Sequence, residues 1–386
     1  MKQKKQLGLK IKLGLHLVLW KCLTVLPLNR RKVVISDFHG KGFGDSPKYI
    51  ALALHEKDPS FRVICLCAKG ADTSDIPSFV KTAGLHSAAS AFHQATAKFW
   101  IDNCRKNIAV KRKSQYYIQT WHGFALKKIE KDVPSGTLTD SYIRSAKRDS
   151  AMIDLIVSCS AHMTRVYTDS FWYGGEVLTI GSPRNDSLIH GGQSERAAVE
   201  RRFKLTKGKK IILYAPTFRD DKTTDAYLRD FRFLSDACSR RFGGDFVVFV
   251  RLHPHAAKMA SFITYGDTVI NTSNYPDSQE LLCAADVLIT DYSSVMFDFA
   301  LSRKPCFLYA SDLEKYTRQR EFYFDIKRLP FALSETRDKL TESIVSFDEN
   351  AYLEKINDFF EKVGMDTNGV ASQKVAELIA EKAVKS

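Results

Sequence analysis

The sequence predicts an α/β protein made of two doubly wound, Rossmann-like domains, each with a parallel sheet and with helices on both faces. Three observations carry this prediction. The chain of 386 residues is too long for one ordinary hydrophobic core. Short apolar runs alternate with helical stretches in two series, which a glycine-containing polar stretch at residues 190–195 separates. With 44% hydrophobic and 26% charged residues, the composition is that of a globular protein.

The first series predicts one domain over residues 31–190. Its β-branched and aromatic runs predict strands at 33–36, 62–67, 98–102, 116–120, 155–158 and 177–180. The stretches 48–56 and 161–168 between them have helical periodicity. This alternation of strand and helix predicts a parallel sheet.

The second series predicts another domain over residues 191–386. Its strands are predicted at 211–214, 246–250, 268–271, 287–290 and 305–309, and its helices at 227–242, 278–284, 294–301 and within 350–384. We expect the two domains to face one cleft, as in many nucleotide-dependent group transferases.

Residues 1–30 form a separate segment that is both basic and apolar. The net charge of +14 would by itself suggest a nucleic-acid partner. Most of this charge, however, lies in one segment of the chain. Residues 1–32 contain nine lysines and arginines and no acid, so they supply +9 and leave +5 for the rest. Without a basic stripe, a zinc finger or an RNP motif elsewhere, we predict no nucleic-acid partner.

The apolar side chains of this segment predict how it is used. Its longest apolar run, residues 13–20, is shorter than the about 20 residues that span a bilayer. A helix would place four apolar side chains close together on one face, those of Leu9, Leu13, Leu17 and Trp20. We predict a basic interfacial helix that lies on an anionic membrane surface. The alternatives are a strand, because residues 7–17 also alternate, and an element packed on the first domain.

The distribution of the cysteines predicts their redox state and argues against a zinc site. The eight cysteines are scattered, mostly in apolar runs, and no Cys-x-x-Cys pair occurs. This pattern predicts reduced thiols in a reducing compartment, without a disulfide framework or a structural zinc site. No histidine, cysteine or carboxylate cluster has metal-ligand spacing, so the sequence predicts neither a metal nor another cofactor.

Two histidines follow predicted strands and are the strongest candidates for chemistry. His122 ends the run Tyr-Ile-Gln-Thr-Trp-His, and His253 ends the run Val-Phe-Val-Arg-Leu-His. Ligands of open α/β sheets bind at the carboxyl ends of strands. Because imidazole titrates near neutrality, both positions suggest proton transfer and anion binding. The alternative is a pair of core histidines that bond to backbone carbonyls.

Residues 288–298 predict a phosphate site at the start of a helix. Ser293 and Ser294 follow an apolar strand, where their hydroxyls could cap the helix or, with its free N–H groups, hold a phosphate. Asp298 lies four residues after Ser294 on the same helical face and could accept a sugar or polyol hydroxyl. Asp291 could instead be structural and receive backbone N–H bonds.

Three further motifs follow strands or turns. Pro216 and Thr217 could form a nucleotide wall, and Arg219 could pair with phosphate or with Asp220. The guanidinium of Arg184 suits phosphate recognition or could stabilise a turn. The glycine-rich loop of residues 40–48 lacks the ending of a P-loop and the spacing of a dinucleotide fingerprint, and it could form the acceptor side of a cleft. Together these features favour phosphate chemistry driven by cations and N–H donors.

Taken in order, the motifs resemble those of the CDP-glycerol glycerophosphotransferase family, the teichoic-acid primases and polymerases. The resemblance extends over about residues 31 to 325. It is carried by Lys41-Gly-Phe-Gly-Asp-Ser-Pro-Lys-Tyr49, Trp100-Ile-Asp-Asn103, Gln119-Thr-Trp-His-Gly123, Gly181-Ser-Pro-Arg-Asn-Asp186, Tyr214-Ala-Pro-Thr217, Arg251-Leu-His-Pro254, Ile289-Thr-Asp-Tyr-Ser-Ser294 with Asp298, and Phe322-Tyr-Phe-Asp325.

The resemblance implies a GT-B-like fold and the transfer of a polyol phosphate, most simply glycerol phosphate, from a CDP-activated donor to an acceptor hydroxyl, with release of CMP. It implies that the first domain is the acceptor side and the second binds the CDP donor. His122 would be the base, flanked by the substrate-binding residues Trp121 and Gly123. The donor would be held by Arg184, Pro216, Thr217, Arg251, His253, Ser293, Ser294 and Asp298, and His253 would act on the leaving phosphate.

The resemblance also implies a peripheral enzyme at the cytoplasmic membrane face that acts on a lipid-linked, capsular or teichoic-acid-type acceptor. One departure concerns the substrates: the family commonly has Thr-Pro after Trp-His-Gly, and this chain has Phe124 and Ala125. Two alternatives remain at this point, CDP-ribitol as the donor and a GT-B glycosyltransferase that uses a nucleotide sugar.

Overall fold

The protein is described by a computed structural model. It describes residues 2–219, 226–253, 256 and 263–385, with side chains from residue 13 onward. Asp220, Pro254 and the side chain of Leu9 therefore lie outside the described residues.

The described chain alternates strands and helices as predicted. The strands are β1 (Asn29–Ser36), β2 (Arg62–Cys67), β3 (Val80–Gly84), β4 (Ala97–Asp102), β5 (Tyr116–Gln119), β6 (Leu155–Ser158), β7 (Glu176–Thr179), β8 (Lys210–Tyr214), β9 (Phe246–Val250), β10 (Val269–Asn271), β11 (Val287–Thr290), β12 (Cys306–Tyr309) and β13 (Ala332–Ser334). The α-helices are α1 (Lys2–Leu23), α2 (Asp45–Lys57), α3 (Ala88–Thr96), α4 (Asp140–Ser150), α5 (Ala161–Ser170), α6 (Asp186–Ile189), α7 (Gln193–Phe203), α8 (Arg232–Phe242), α9 (Ser278–Ala284), α10 (Val295–Ala300), α11 (Leu313–Gln319), α12 (Arg337–Val345), α13 (Glu349–Val363) and α14 (Ala371–Lys385).

The first compact unit comprises Met1–His122, Ser135–Asp186 and Val370–Ser386. Its seven parallel strands are ordered β3-β2-β1-β4-β5-β6-β7. The chain builds outward from β1 to β3 and then returns to β4 on the other side of β1. The strand order therefore reverses between β1 and β4, and a doubly wound sheet binds its ligands at the carboxyl ends of the strands at such a point.

The C-terminal helix completes this unit. Ala371, Val375 and Ile379 recur every four residues along α14, so they form one apolar face, and all three are fully buried in the first hydrophobic core. That face packs on α2. The sequence-based division at residue 190 assigned this helix to the second domain, but its apolar face is buried in the first unit.

The second unit comprises Gly123–Pro134 and Ser187–Gly369. Its six parallel strands are ordered β10-β9-β8-β11-β12-β13, and its order reverses between β8 and β11. The apolar runs of β8, β9 and β11 are buried beneath α8 and α12. The prediction of two doubly wound α/β domains is confirmed.

The short segment Gly123–Pro134 is part of the second unit because it pairs with residues there. The Lys128 N–H donates to the carbonyl of Glu321 at 2.9 Å, and the Tyr323 N–H donates to the carbonyl of Leu126 at 2.8 Å. Phe124 is buried and packs within 4.5 to 6.1 Å of the rings of Phe297, Phe324 and Phe359.

The leading segment is a helix rather than a strand. Trp20 is 1% exposed and lies 5.6 Å from the ring of Trp100, while His16 is buried beside it, so this face of α1 packs on the first unit against α3. The predicted apolar face, of which the side chains of Leu13, Leu17 and Trp20 are described, is therefore turned toward the protein, and the opposite side exposes Leu15, Val18 and Leu19. Among the described residues, no helix combines the length and apolar content needed to cross a membrane.

Candidate active site

In the first unit, His122 lies three residues beyond the end of β5, where the predicted carboxyl-end loops begin. Its ring stacks on that of Trp121 at 4.3 Å and lies 5.5 Å from the ring of Phe38. Trp121 in turn contacts Phe171 edge to face at 4.8 Å and has a left-handed backbone, with φ of 51°. The imidazole is thus held by aromatic rings from two loops.

The hydrogen bond of His122 fixes its tautomer. Nδ1 lies 2.7 Å from the carbonyl oxygen of Asn103, an acceptor that requires an N–H at Nδ1 when the ring is neutral. Nε2 then carries the lone pair that can accept a proton. Burial lowers the pKa of His122 below its ordinary value, although the Asn103 carbonyl and Asp45 act in the opposite direction. A neutral imidazole with its lone pair on Nε2 can accept a proton there.

A buried ion pair lies in the same unit. Nη1 of Arg184 donates to Oδ2 of Asp45 at 2.6 Å, and both side chains are 7% exposed. Both charges influence the pKa of His122, with opposite signs. The family resemblance implied that Arg184 binds the donor; in the structure its guanidinium binds Asp45 in the first unit.

The glycine-rich loop follows β1 and is anchored at its base. The Phe38 N–H donates to Oδ1 of Asn103 at 2.9 Å, and the Asn103 amide donates to Asp37 at 2.7 Å. Gly40 has φ of +84°, and a Cβ there would lie 2.8 Å from the backbone nitrogen of Ala68. His39 and Lys41 remain exposed on this anchored loop.

In the second unit, the loops after β8 and β11 are joined through Asp291. Oδ1 of Asp291 accepts from the N–H groups of Thr217 at 2.8 Å and Tyr292 at 2.6 Å. The structural alternative for Asp291 is confirmed by these bonds. They also position Pro216 and Thr217, and the Thr217 hydroxyl is buried with no hydrogen-bond partner among the described residues.

Arg219 is the cation that supports this arrangement. It donates to Oδ2 of Asp291 at 2.9 Å and to both oxygens of Asp312, at 2.7 and 3.0 Å. Burial alone would lower the pKa of Arg219, but the bonds to Asp312 and Asp291 raise it overall. Arg219 therefore holds the loops at the carboxyl ends of the strands and is not a free phosphate ligand. Its alternative partner Asp220 lies outside the described residues.

Arg251 and His253 follow β9. Nη1 of Arg251 donates to the carbonyls of Thr272 at 3.2 Å and Tyr275 at 2.8 Å, which fixes the loop after β10. Burial lowers the pKa of Arg251. His253 is exposed, with its ring 5.5 Å from that of Phe218.

The two serines lie at the start of α10, after β11. The Ser294 hydroxyl makes no capping bond, and the Ser293 hydroxyl accepts from the Val295 N–H only at 3.5 Å. Asp298 is 5% exposed in the same helix. The alternative for this pair was helix capping. Because these hydroxyls make at most one long capping bond, both can still bind a ligand.

The predicted residues thus divide between the units. His122, Trp121 and Arg184 lie in the first unit, whereas seven predicted residues lie in the second: Pro216, Thr217, Arg251, His253, Ser293, Ser294 and Asp298. Gly123, with φ of 132°, is the first residue of the second unit.

Three structural partners were not singled out by the sequence analysis: Asp45, Asn103 and Asp312. Asp45 and Asn103 belong to sequence motifs named above. Only the structure shows that these two residues of the motifs make the buried contacts. Among the described residues, no group of histidine, cysteine or carboxylate side chains could hold a metal ion. None of the eight cysteines, all of which the structure describes, forms a disulfide.

Comparison with known proteins adds to this geometry. A family model described as CDP-Glycerol:Poly(glycerophosphate) glycerophosphotransferase matches residues 18–381. The teichoic acid glycerol-phosphate transferase of Staphylococcus aureus is 32% identical over 93% of this chain and 95% of that protein. The teichoic acid poly(glycerol phosphate) polymerase of Staphylococcus epidermidis is 33% identical over 90% of this chain, and the chain spans only 50% of that longer protein.

Solved structures agree. The wall teichoic acid polymerase TagF has a TM-score of 0.84 at 30% identity, over 100% of this chain and 97% of that chain. A TagF variant soaked with CDPG has a TM-score of 0.82 at 31% identity, over 93% of this chain and 90% of that chain. These matches confirm the GT-B-like fold and the predicted class of enzyme, a transferase of glycerol phosphate from CDP-glycerol to a teichoic acid acceptor. The chain belongs to the CDP-glycerol glycerophosphotransferase family.

Proposed function

We propose that this chain transfers glycerol phosphate from CDP-glycerol to the terminal hydroxyl of a teichoic-acid-type acceptor, with His122 as the general base. The acceptor oxygen forms a bond to the β-phosphorus of the donor while Nε2 of His122 takes the hydroxyl proton. The bond between the β-phosphorus and the bridging oxygen breaks, and its electron pair leaves with CMP. Phosphoryl transfer depends mainly on positioning and on charge stabilisation.

One observation carries this proposal: the 2.7 Å contact of His122 Nδ1 with the Asn103 carbonyl, which leaves Nε2 as the basic nitrogen. The alternative for this position, a core histidine that bonds to backbone carbonyls, accounts for Nδ1, and no hydrogen bond to Nε2 is present among the described residues. The described contacts of His122 are that carbonyl at Nδ1, the Cys104 thiol 3.8 Å from the same nitrogen, and two aromatic rings.

The donor is assigned to the second unit. The Thr217 hydroxyl, the two serine hydroxyls at α10 and the exposed His253 offer hydrogen-bond donors at the carboxyl ends of β8, β9 and β11. These are the positions at which a doubly wound sheet holds a nucleotide. His253 and Ser293 would then stabilise the charge that develops on CMP.

A donor panel tests this function. The purified enzyme is incubated with a soluble glycerol-phosphate-ended acceptor and with CDP-glycerol, CDP-ribitol or a set of nucleotide sugars, and nucleotide release is measured. CDP-ribitol belongs in the panel because a teichoic acid ribitol-phosphate primase of Bacillus spizizenii is 30% identical over 92% of this chain. Release of CMP with CDP-glycerol is expected. Release of a nucleoside diphosphate from a sugar donor instead would establish the glycosyltransferase alternative.

We also propose that the enzyme works as a peripheral protein on the cytoplasmic membrane face, with a lipid-linked acceptor. Leu15, Val18 and Leu19 lie three and four residues apart on α1, and their exposure gives the helix a free apolar side opposite Trp20. Residues 1–32 also contain nine lysines and arginines and no acid. An apolar helix beside cations suits anionic lipid.

Vesicle flotation tests this membrane contact. Val18→Glu should weaken binding to vesicles that contain anionic lipid, while CMP release with a soluble acceptor persists. Val345→Glu is the matched control, because Val345 is an exposed valine on α12 of the second unit. Equal flotation of both variants would show that α1 is not the contact.

A further inference from the structure

We infer that the loop of residues 37–44 contains a subsite for a phosphate group of the acceptor, in which the Lys41 ammonium supplies the charge and the His39 imidazole a hydrogen bond. This inference rests on the proposed function, because it assigns a site to the acceptor of that reaction. It adds a recognition element that the base His122 does not provide. An acceptor ending in glycerol phosphate carries such a phosphate a few bonds from its reactive hydroxyl.

The first argument is position. The Lys41 ammonium lies over the ring of Phe38, 5.5 Å from its centroid, and the Phe38 and His122 ring centroids are also 5.5 Å apart. Two steps of 5.5 Å place the ammonium at most 11.0 Å from the imidazole of the base. A hydroxyl at His122 and the phosphate of the same terminal unit fit within that span.

The second argument is rigidity. The carbonyl of Asp37 accepts the N–H groups of Gly40 at 2.7 Å and Lys41 at 2.9 Å, and the Gly40 carbonyl accepts the Ala68 N–H at 2.7 Å. Such a fixed base displays the two exposed side chains at defined positions. A loop that is ordered before binding loses less entropy when a ligand arrives.

The backbone of this loop is also strained. Phe38 and His39 have φ of 38° and 60°, in the left-handed region that side chains other than glycine rarely adopt. Strain of this kind persists where the surroundings impose it, often at ligand sites. Both His39 and Lys41 are exposed on this loop.

The third argument is charge. Two buried carboxylates of this unit have cationic partners, Asp45 with Arg184 at 2.6 Å and Asp102 with Lys106 at 2.8 Å, and the buried Asp37 accepts a hydrogen bond from the Asn103 amide at 2.7 Å. Lys41 makes no ion pair with any residue that the structure describes. Partial burial lowers the pKa of His39, and the positive charges of Lys106 and Lys41 lower it further. A site with this positive potential favours an anion.

The alternative is that Lys41 is a solvated surface lysine without a ligand. Two acceptors distinguish this alternative from a phosphate subsite. One acceptor carries a phosphate next to the reactive hydroxyl, and the other presents the same hydroxyl without phosphate. With CDP-glycerol saturating, Lys41→Ala should raise the KM for the phosphate-bearing acceptor by roughly 10- to 100-fold, as expected for a lost charge-assisted hydrogen bond. The KM for the neutral acceptor should stay unchanged, and Lys41→Arg should recover most of the affinity.

Lys113→Ala is the matched control. Lys113 is an exposed lysine that precedes β5, so it lies at the opposite end of the same parallel sheet. Binding of the phosphate-bearing acceptor without donor, followed by calorimetry, gives a second measurement that needs no turnover. Equal acceptor affinities of the wild type and Lys41→Ala would overturn the subsite, as would equal losses for both acceptors. Failure of the proposed function has a different signature: the wild type would release no CMP from CDP-glycerol.

Discussion

Replacing His122 by asparagine separates its chemistry from its packing. The asparagine amide nitrogen can occupy nearly the place of Nδ1 and donate to the Asn103 carbonyl, which His122 contacts at 2.7 Å. The variant therefore keeps that hydrogen bond but loses the basic Nε2 and the ring that stacks on Trp121. His122→Ala loses the hydrogen bond as well.

The expected magnitudes follow from these contacts. Loss of a general base lowers kcat by roughly 10² to 10⁴, which is about 2.7 to 5.4 kcal/mol of barrier at 1.36 kcal/mol per tenfold change. The stacking of His122 on Trp121 at 4.3 Å is worth about 0.5 to 1.5 kcal/mol, so the free energy of unfolding should fall by no more than a comparable amount. The effect on catalysis should exceed the effect on stability.

The pH dependence gives a second signature. Burial lowers the pKa of His122 below its ordinary value of 6.5, so the neutral and basic form is retained above that lowered pKa. The kcat/KM of the wild type should fall on the acid side only below pH 6.5. The asparagine variant should lack this acid limb.

Two assays test these expectations. Steady-state release of CMP, measured from pH 5 upward over a range of donor and acceptor concentrations, gives kcat and kcat/KM. Thermal unfolding gives the stability. Donor KM should change little, because the residues proposed to bind the donor lie in the second unit and His122 lies in the first. Turnover near the wild-type level in His122→Asn, with the acid limb retained, would refute the assignment of the base.

Three further predictions concern the second unit. Ser293→Ala combined with Ser294→Ala should raise the donor KM. The free energy of unfolding should fall by less than about 0.5 kcal/mol, because Ser294 makes no capping bond. An unchanged donor KM with a lower melting temperature would contradict this prediction. His253→Ala should weaken donor binding and lower kcat while the melting temperature holds, because the side chain is exposed; intact donor affinity in a calorimetric titration would argue against it. Arg219→Met should lower the free energy of unfolding, measured in urea, by about 3 to 5 kcal/mol, because it leaves the carboxylates of Asp291 and Asp312 without their cation. A loss below about 1 kcal/mol would show that these carboxylates find other partners.

The fold was predictable where strands are buried and apolar. β2, β6 and β9 begin and end where the sequence analysis placed them, because runs such as Phe246–Val250 are buried at every position. The edge strand β3 was missed, since its sequence Val-Lys-Thr-Ala-Gly has two exposed polar positions and a terminal glycine. Polar edge strands lack the periodicity from which strands are predicted.

Long-range assembly limited the prediction of the domains. The apolar spacing of α14 predicts a helix but does not specify which core buries it, and Asp186 of the first unit accepts the N–H groups of Ala371 and Ser372 at its start. Similarly, the predicted helix 227–242 begins only at Arg232, after residues 226–231 form a turn and loop that pack Tyr227, Leu228 and Phe231 into the core. Such contacts are set by the tertiary fold rather than by local periodicity.

The candidate site was predictable as a set of positions but not as a set of roles. His122, His253 and the two serines follow strands, as predicted, and the carboxyl ends of parallel strands lie at one edge of each sheet. The partners of the arginines were harder to predict, since the same guanidinium N–H groups can bind carboxylate, carbonyl or phosphate oxygens. Arg184 has a carboxylate, Arg219 has two, and Arg251 has two backbone carbonyls, partners that the sequence does not reveal.

The departure at Phe124 illustrates the same limit. In the sequence it lies two residues after the base, which suggested an effect on the chemistry there. In the structure its ring lies 4.5 Å from that of Phe297, the residue before Asp298 in α10, and 6.1 Å from that of Phe359. An aromatic side chain at position 124 therefore joins the segment after His122 to the helix that begins beyond Ser293 and Ser294. Its physical effect falls on the helix assigned to the donor, so a difference in substrate preference caused by Phe124 should be sought in the donor rather than in proton transfer.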